Sequence, residues 1–165
     1  MMRGITRFVN LMAAGLLAGN ELGTWAAVHP ALERLSPPER VRAEQEMTRR
    51  FGAIMPFWMA AAVLSCLPNL ALSARKPGFR PTLIGALCFA AMLASTRLGN
   101  VPINNRTLEI DPETGIEEFE RLRERWDRLH TLRVALTTTG LGFLVVGTLS
   151  GSETGGYPPT GSRRR

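Results

Sequence analysis

The sequence predicts an all-α protein, a four-transmembrane-helix bundle with two amphipathic helical extensions that precede spans 2 and 4. Two observations carry this. Mean hydropathy is close to zero although 21% of the 165 residues are charged, so apolar and charged residues must be segregated along the chain. The apolar residues gather in four blocks, 5–32, 51–74, 82–104 and 132–149. Each is near the roughly 20 residues that a helix needs to cross a hydrocarbon core. A soluble bundle would place polar residues every few positions along each helix; "MPFWMAAAVLSCLPNLALSA" and "LGFLVVGTL" have almost none.

The first block follows the basic start "MMRGITR" and runs on to His29 and Pro30. It is too long for a cleaved leader and shows no small-x-small cleavage site, so it reads as a retained helix. Its Asn10 is expected to join helices, and Ala14, Gly15, Ala18 and Gly19 to allow close packing. "SPPERVRAEQEMTRRF" opens the second element, with Ser36 as N-cap, prolines in the first turn and good helix formers beyond. Val41, Met47 and Phe51 give it an apolar edge. Asn69 beside Pro68 reads as mending a proline kink. The third block ends in "NVPINN". The fourth is led by "TGIEEFERLRERWDRLHTLR", where Ile116, Phe119, Leu122, Trp126 and Leu129 recur at helical spacing. Cys66 and Cys88 read as small core residues. Residues 1–149 thus form one membrane domain, and the Gly/Ser/Pro-rich residues 150–165 a disordered basic tail.

Lysine and arginine set the orientation. Arg3 and Arg7 at the start, Arg75, Lys76 and Arg80 in the middle loop and the closing "SRRR" have no acids among them, whereas the two long loops mix both signs. Both termini are therefore expected on the cytoplasmic side of the cell membrane. The net charge of +6 is accounted for by orientation and contact with membrane lipids, which leaves no nucleic-acid interface to explain.

Ionisable groups at membrane depth are costly and mark functional sites. Trp126, His130, Arg133 and Thr137 are spaced 4, 3 and 4 on the fourth helix and share one stripe. Arg97, Asn100 and Asn104 do so on the third, unless Pro102 distorts it. Glu21, Trp25 and His29 do so on the first. In the predicted topology all three stripes lie toward the extracytoplasmic face and wall one polar pocket. Glu21 is expected beside Arg97 or Arg133, because a neighbouring guanidinium keeps a buried carboxylate ionised and satisfied.

"VHPAL" closing the first span, "EQEMTRRFGAIMPFW" opening the second, "NVPINN" closing the third and Trp126, His130 and Arg133 opening the fourth together resemble the anthrone oxygenase family over residues 8–148. The resemblance implies a four-helix membrane protein. It also implies an oxygenase without a cofactor, which uses molecular oxygen to convert a small hydrophobic aromatic substrate, an anthrone, into an anthraquinone. Such a reaction needs a base, donors for an oxyanion and an apolar slot. His130 fits the base, with Arg133 and Asn100 as its catalytic partners at the oxyanion. Asn104, Trp126, Glu21, Trp25, His29, Arg97 and Thr137 are the expected substrate contacts. Two other readings stand beside this one. Glu21, His29 and His130 make a two-histidine, one-carboxylate set of the type that holds a metal ion in an oxidoreductase, although Glu21 and His29 lie about two turns apart on one helix. Alternatively the stripes hold together a non-enzymatic accessory or lipid-binding membrane protein.

Overall fold

The computed structural model describes residues 2–150, which are helical apart from short turns, with no strand among them. The helices are α1 (Met2–Gly23), α2 (His29–Leu32), α3 (Pro37–Ser73), α4 (Phe79–Ser95), α5 (Val101–Thr107) and α6 (Ile116–Ser150). Thr24–Val28 joins α1 to α2, and Thr96–Asn100 joins α4 to α5, as widened π-helical turns without a break. The four rods pack in a ring, α1 against α3, α3 against α4, α4 against α6 and α6 back against α1.

Three of the rods are long and apolar enough to cross a membrane: Pro37–Ser73, Phe79–Thr107 and Ile116–Ser150. That defines a membrane-type, all-helical protein. The first rod does not reach the same measure, because it carries Arg3, Arg7, Asn10, Asn20 and Glu21 along its length. The expected disordered tail falls on residues 151–165, outside the described residues; Ser150, assigned to it, is the last residue of α6.

The extensions expected before spans 2 and 4 are continuous with α3 and α6. At the start of α3 the Glu39 carboxylate accepts hydrogen bonds from the Ser36 amide, 3.2 Å away, and from the Ser36 hydroxyl. Pro37 occupies the first turn, where a missing N–H costs nothing. Val41, Ile110 and Phe119 form a small apolar core between the two extensions and the loop after α5. Gln45 satisfies two carbonyls that close α5, donating to Thr107 O at 3.0 Å and Ile110 O at 2.9 Å. The extensions and this loop therefore form a cap over one end of the bundle.

The widened turns each precede a proline by the same step. Pro30 and Pro102 cannot donate to the carbonyl four residues back, and their rings would press on it. The preceding amides, His29 and Val101, reach instead five residues back to Thr24 O and Thr96 O. Pro56 and Pro68 lie inside α3 without such a turn, so proline alone does not dictate it. On the first rod the buried positions run Ala14, Leu17, Ala18, Glu21 and Thr24, then jump to His29. The extra residue in the turn makes that jump.

Polar contacts join α1 to α3 lower in the bundle. Asn10 Nδ2 donates to Ser65 Oγ at 2.9 Å, and Asn10 Oδ1 accepts from Asn69 Nδ2 at 2.8 Å. Asn69 thus bridges two helices, correcting the expectation that it mends the Pro68 kink in its own. Cys66 and Cys88 are free thiols, and Cys66 lies in the core with Ala14, Leu17 and Phe89.

The most extensive helix contact is between α4 and α6, where glycines replace side chains. A Cβ on Gly85 would stand 2.8 Å from Gly140 O, and one on Gly147 would stand 2.3 Å from Thr82 Oγ1 and 3.0 Å from its backbone nitrogen. Gly142, on the open face of α6, meets nothing within 4 Å. Small residues of this kind let membrane helices pack closely. Gly85→Ala and Gly147→Ala are each expected to destabilise the purified protein by about 1–3 kcal/mol, read as a lower thermal unfolding midpoint. Gly142→Ala should leave the midpoint unchanged or raise it.

Candidate active site

Beneath the cap lies a cavity of about 190 Å³ reached by all four rods. Phe51, Met55, Met59, Leu93 and Val101 supply apolar wall. Glu21, His29, Glu44, Asn104, His130 and Arg133 supply a polar end, with Trp126 between them.

The polar end is built on a buried ion cluster. Arg133 Nη2 donates to Glu21 Oε1, and Glu21 Oε2 lies 3.2 Å from His130 Nδ1. Glu21 is 1% exposed, His130 2% and Arg133 7%. Of the two arginines expected near Glu21, it is Arg133 that meets it. His130 is fixed on its other side by Trp126, whose ring stacks on the imidazole with centroids 4.6 Å apart. Trp126 in turn donates from Nε1 to Asn104 Oδ1 at 2.7 Å. "NVPINN" therefore supplies a wall that holds the indole.

A second cluster sits above it. Arg123 places Nη1 2.8 Å from Glu44 Oε1 and Nη2 2.6 Å from both Asp127 Oδ1 and His29 Nδ1. Its guanidinium also lies 4.4 Å over the Trp126 ring. The His29 ring meets Trp126 edge-on at 4.9 Å and His130 at 5.3 Å. Trp126 thus touches both histidines and the Arg123 cation.

Several expected site residues take other positions. Trp25 is 45% exposed, donates from Nε1 to Thr131 Oγ1 at 3.2 Å and does not line the cavity. The widened turn gives its inward place to Thr24 and His29. Thr137 is fully buried, but its hydroxyl donates to Arg133 O at 2.9 Å, within its own helix, and it too is absent from the lining. Asn100 is fully buried with both amide atoms unpartnered, and it stands behind the cavity lining rather than in it. Arg97 lines the cavity at an exposed position and does not pair with Glu21. The proposed metal set meets a different geometry. Glu21 faces Nδ1 of His130, and Nδ1 of His29 is taken by Arg123. Among the described residues no three His, Cys, Asp or Glu side chains gather to hold one ion.

Glu44 and Arg123, 5% and 6% exposed, were missed because both lie on extensions read as amphipathic surface. The signal was present in the spacing. Phe119, Arg123, Trp126, His130, Arg133 and Thr137 continue one stripe at intervals of 4, 3, 4, 3 and 4. Arg123 is its next member upward.

The fold and this polar, histidine-bearing cavity define a membrane-type helical bundle with a partly open site at one end. A model of the anthrone oxygenase family matches residues 45–143, well over half of the chain, and the protein belongs to that family. No curated protein and no solved structure matches it. The matched stretch holds Asn104, Trp126, His130 and Arg133 but begins after Glu21, His29 and Glu44.

Removing one member of a buried ion pair strands the other. Arg133→Met is expected to destabilise the protein by about 3–5 kcal/mol, because Glu21 is left charged and unpaired. Adding Glu21→Leu should recover most of that loss. Denaturant unfolding of the single and double variants measures both effects, and an additive pair would show that the two side chains do not interact.

Proposed function

We propose that the protein is a membrane-embedded oxygenase, working without a bound cofactor, that oxidises a polycyclic phenolic substrate of the anthrone type with molecular oxygen. The observation that carries this reading is His130 Nε2. It is buried and unpartnered, on a ring that lines the cavity beside the Glu21 carboxylate and stacks on Trp126. The family provides the reaction class; the cavity's apolar wall of Phe51, Met55, Met59, Leu93 and Val101 suits a hydrophobic aromatic ring system.

The chemistry needs little beyond a base and an oxyanion site. An anthrone carries an acidic methylene opposite its ketone. His130 Nε2 takes one methylene proton, and the C–H electrons delocalise into an enolate. Glu21, at the far nitrogen, stabilises the imidazolium that results. The enolate transfers one electron to O2, and the radical and superoxide combine to form a C–O bond and a peroxide anion. Imidazolium returns its proton to the distal oxygen. His130 then removes the second C–H proton, the electron pair forms the new C=O, and the O–O bond breaks. The departing hydroxide takes the proton from His130 and leaves as water. One CH2 and one O2 thus become one C=O and one H2O. Arg133 holds Glu21 charged throughout, and Trp126, stacked on the imidazole, holds the His130 ring in place.

The first rod completes the membrane bundle as a fourth span in this reading, since it packs against both α3 and α6. Both termini lie in the cytoplasm and the cavity near the opposite face, as the acid-free basic loops require.

Purified protein should consume O2 and 1,8-dihydroxyanthrone in equal amounts, faster than the spontaneous reaction, with elemental analysis of the same sample reporting any metal. His130→Gln should lower turnover by about 10²–10⁴-fold while leaving the protein folded. Oxidation no faster than the spontaneous rate would favour the accessory or lipid-binding role instead. A reporter fused after Arg165 is expected to be active only in its cytoplasmic form; activity confined to the outside would overturn the orientation.

A further inference from the structure

Two buried imidazoles line the cavity; each has an unpartnered Nε2, and His130 Nδ1 has no hydrogen-bond partner either. His130 has a place in the chemistry above; His29 has none. The two differ in what stands at Nδ1, and that difference fixes where each carries its proton.

At His130 the Nδ1 neighbour is Glu21 Oε2, 3.2 Å away, an ion-pair contact too bent for a hydrogen bond, so the carboxylate acts on Nδ1 through its charge. A carboxylate bridged to Arg133 has only lone pairs to offer. Neutral His130 is therefore favoured with its hydrogen on Nδ1, which leaves a lone pair on Nε2. At His29 the Nδ1 neighbour is Arg123 Nη2, 2.6 Å away. A guanidinium is a donor only and keeps its charge. His29 Nδ1 must accept, so its hydrogen lies on Nε2. Glu44 does not reverse this. It stands 3.5 Å from the same nitrogen, beyond a good hydrogen bond, and is ion-paired with Arg123 at 2.8 Å. A proton on Nδ1 would point into the guanidinium that already occupies the position.

We propose that His29 is a second catalytic residue, a neutral hydrogen-bond donor that stabilises the substrate oxyanion through Nε2–H while His130 Nε2 acts as the base. With Nδ1 accepting from Arg123, His29 carries its hydrogen on Nε2. It donates a hydrogen bond and transfers no proton. The group it takes is a ketone oxygen that becomes an enolate oxygen when His130 removes the methylene proton. The substrate class narrows accordingly to a flat aromatic ketone whose carbonyl and acidic C–H both reach the polar end. Arg123, which sets the tautomer without touching the substrate, is a positioning residue. This inference rests on the oxygenase reading, but the protonation pattern itself is independent of turnover.

The chain contains two histidines, so a ¹⁵N-histidine-labelled sample gives two imidazoles, assigned by the single variants His29→Gln and His130→Gln. Long-range ¹H–¹⁵N correlation at neutral pH is expected to show the Nε2–H tautomer at His29 and the Nδ1–H tautomer at His130. Anaerobic addition of 1,8-dihydroxyanthrone should move the His29 Nε2–H proton downfield. The same tautomer at both sites, or a charged His29, would overturn the proposal. So would a His29 resonance that ignores the anthrone while that of His130 responds. In turnover, His29→Leu should lose about 10²-fold in kcat, and His29→Gln, which keeps an N–H donor near the position of Nε2, should recover most of it. Equal activity in His29→Leu and wild type would remove His29 from the chemistry. Opposite tautomers and an anthrone-induced shift without any O2 consumption would uphold the donor–base pair and reject the oxygenase reading.

Discussion

Everything at the polar end depends on one buried ion pair, Glu21 with Arg133. Neither charge can remain so far from water alone, so their contact ties the first rod to the fourth at a fixed height and rotation. His130 stands one turn before Arg133, and the carboxylate that neutralises the arginine also reaches its Nδ1. The group that holds the helices in register thus also sets the charge beside one nitrogen of the imidazole. An apolar pair of similar shape would hold the rods together equally well but would leave His130 without a reason to present a lone pair.

The cap extends this logic above the apolar segments. Gln45 closes the carbonyls of α5, and Val41, Ile110 and Phe119 pack beneath it. These contacts bring Glu44 on α3 to Arg123 on α6, and Arg123 meets His29 from the first rod. Three elements distant in sequence meet at one guanidinium. Trp126 is gripped from both sides, by the Arg123 cation and the His130 ring, while Asn104 fixes its N–H. So held, the indole fixes the His130 ring in turn, and little rotamer freedom remains to either side chain when a substrate binds.

Much of this was readable in the chain. The segregation of charge gave the helices, Ser36 and its prolines gave the start of α3, and the 4-3-4 spacing from Trp126 placed His130 and Arg133 on one face. Expectation failed where a side chain's partner rather than its spacing decides its role. Thr137 shares the stripe yet turns its hydroxyl onto its own helix. Asn69 looked local beside Pro68 but reaches Asn10 across 59 residues. Arg123 looked like solvated surface because the acids that bury it, Glu44 and Asp127, lie on different helices or toward solvent. Trp25 was misplaced for a purely geometric reason: the helical period changes between Thr24 and His29, and a uniform 3.6-residue count cannot register that change.

That change of period has a further consequence. A widened turn is a helix accommodating one residue too many, and the surplus is shared among five positions rather than assigned to one. Substitutions among residues 24–28 can leave the count intact. Loss of one residue there would return the rod to ordinary helix with His29 in its present place, whereas gain of one would swing everything beyond it by about 100°, carrying His29 out of the cavity while Glu21 stayed in place. The two halves of the polar end contributed by the first rod are therefore linked by chain length and not by contact. The segment can shed its surplus residue and keep His29 facing inward, but it has no room for a second one.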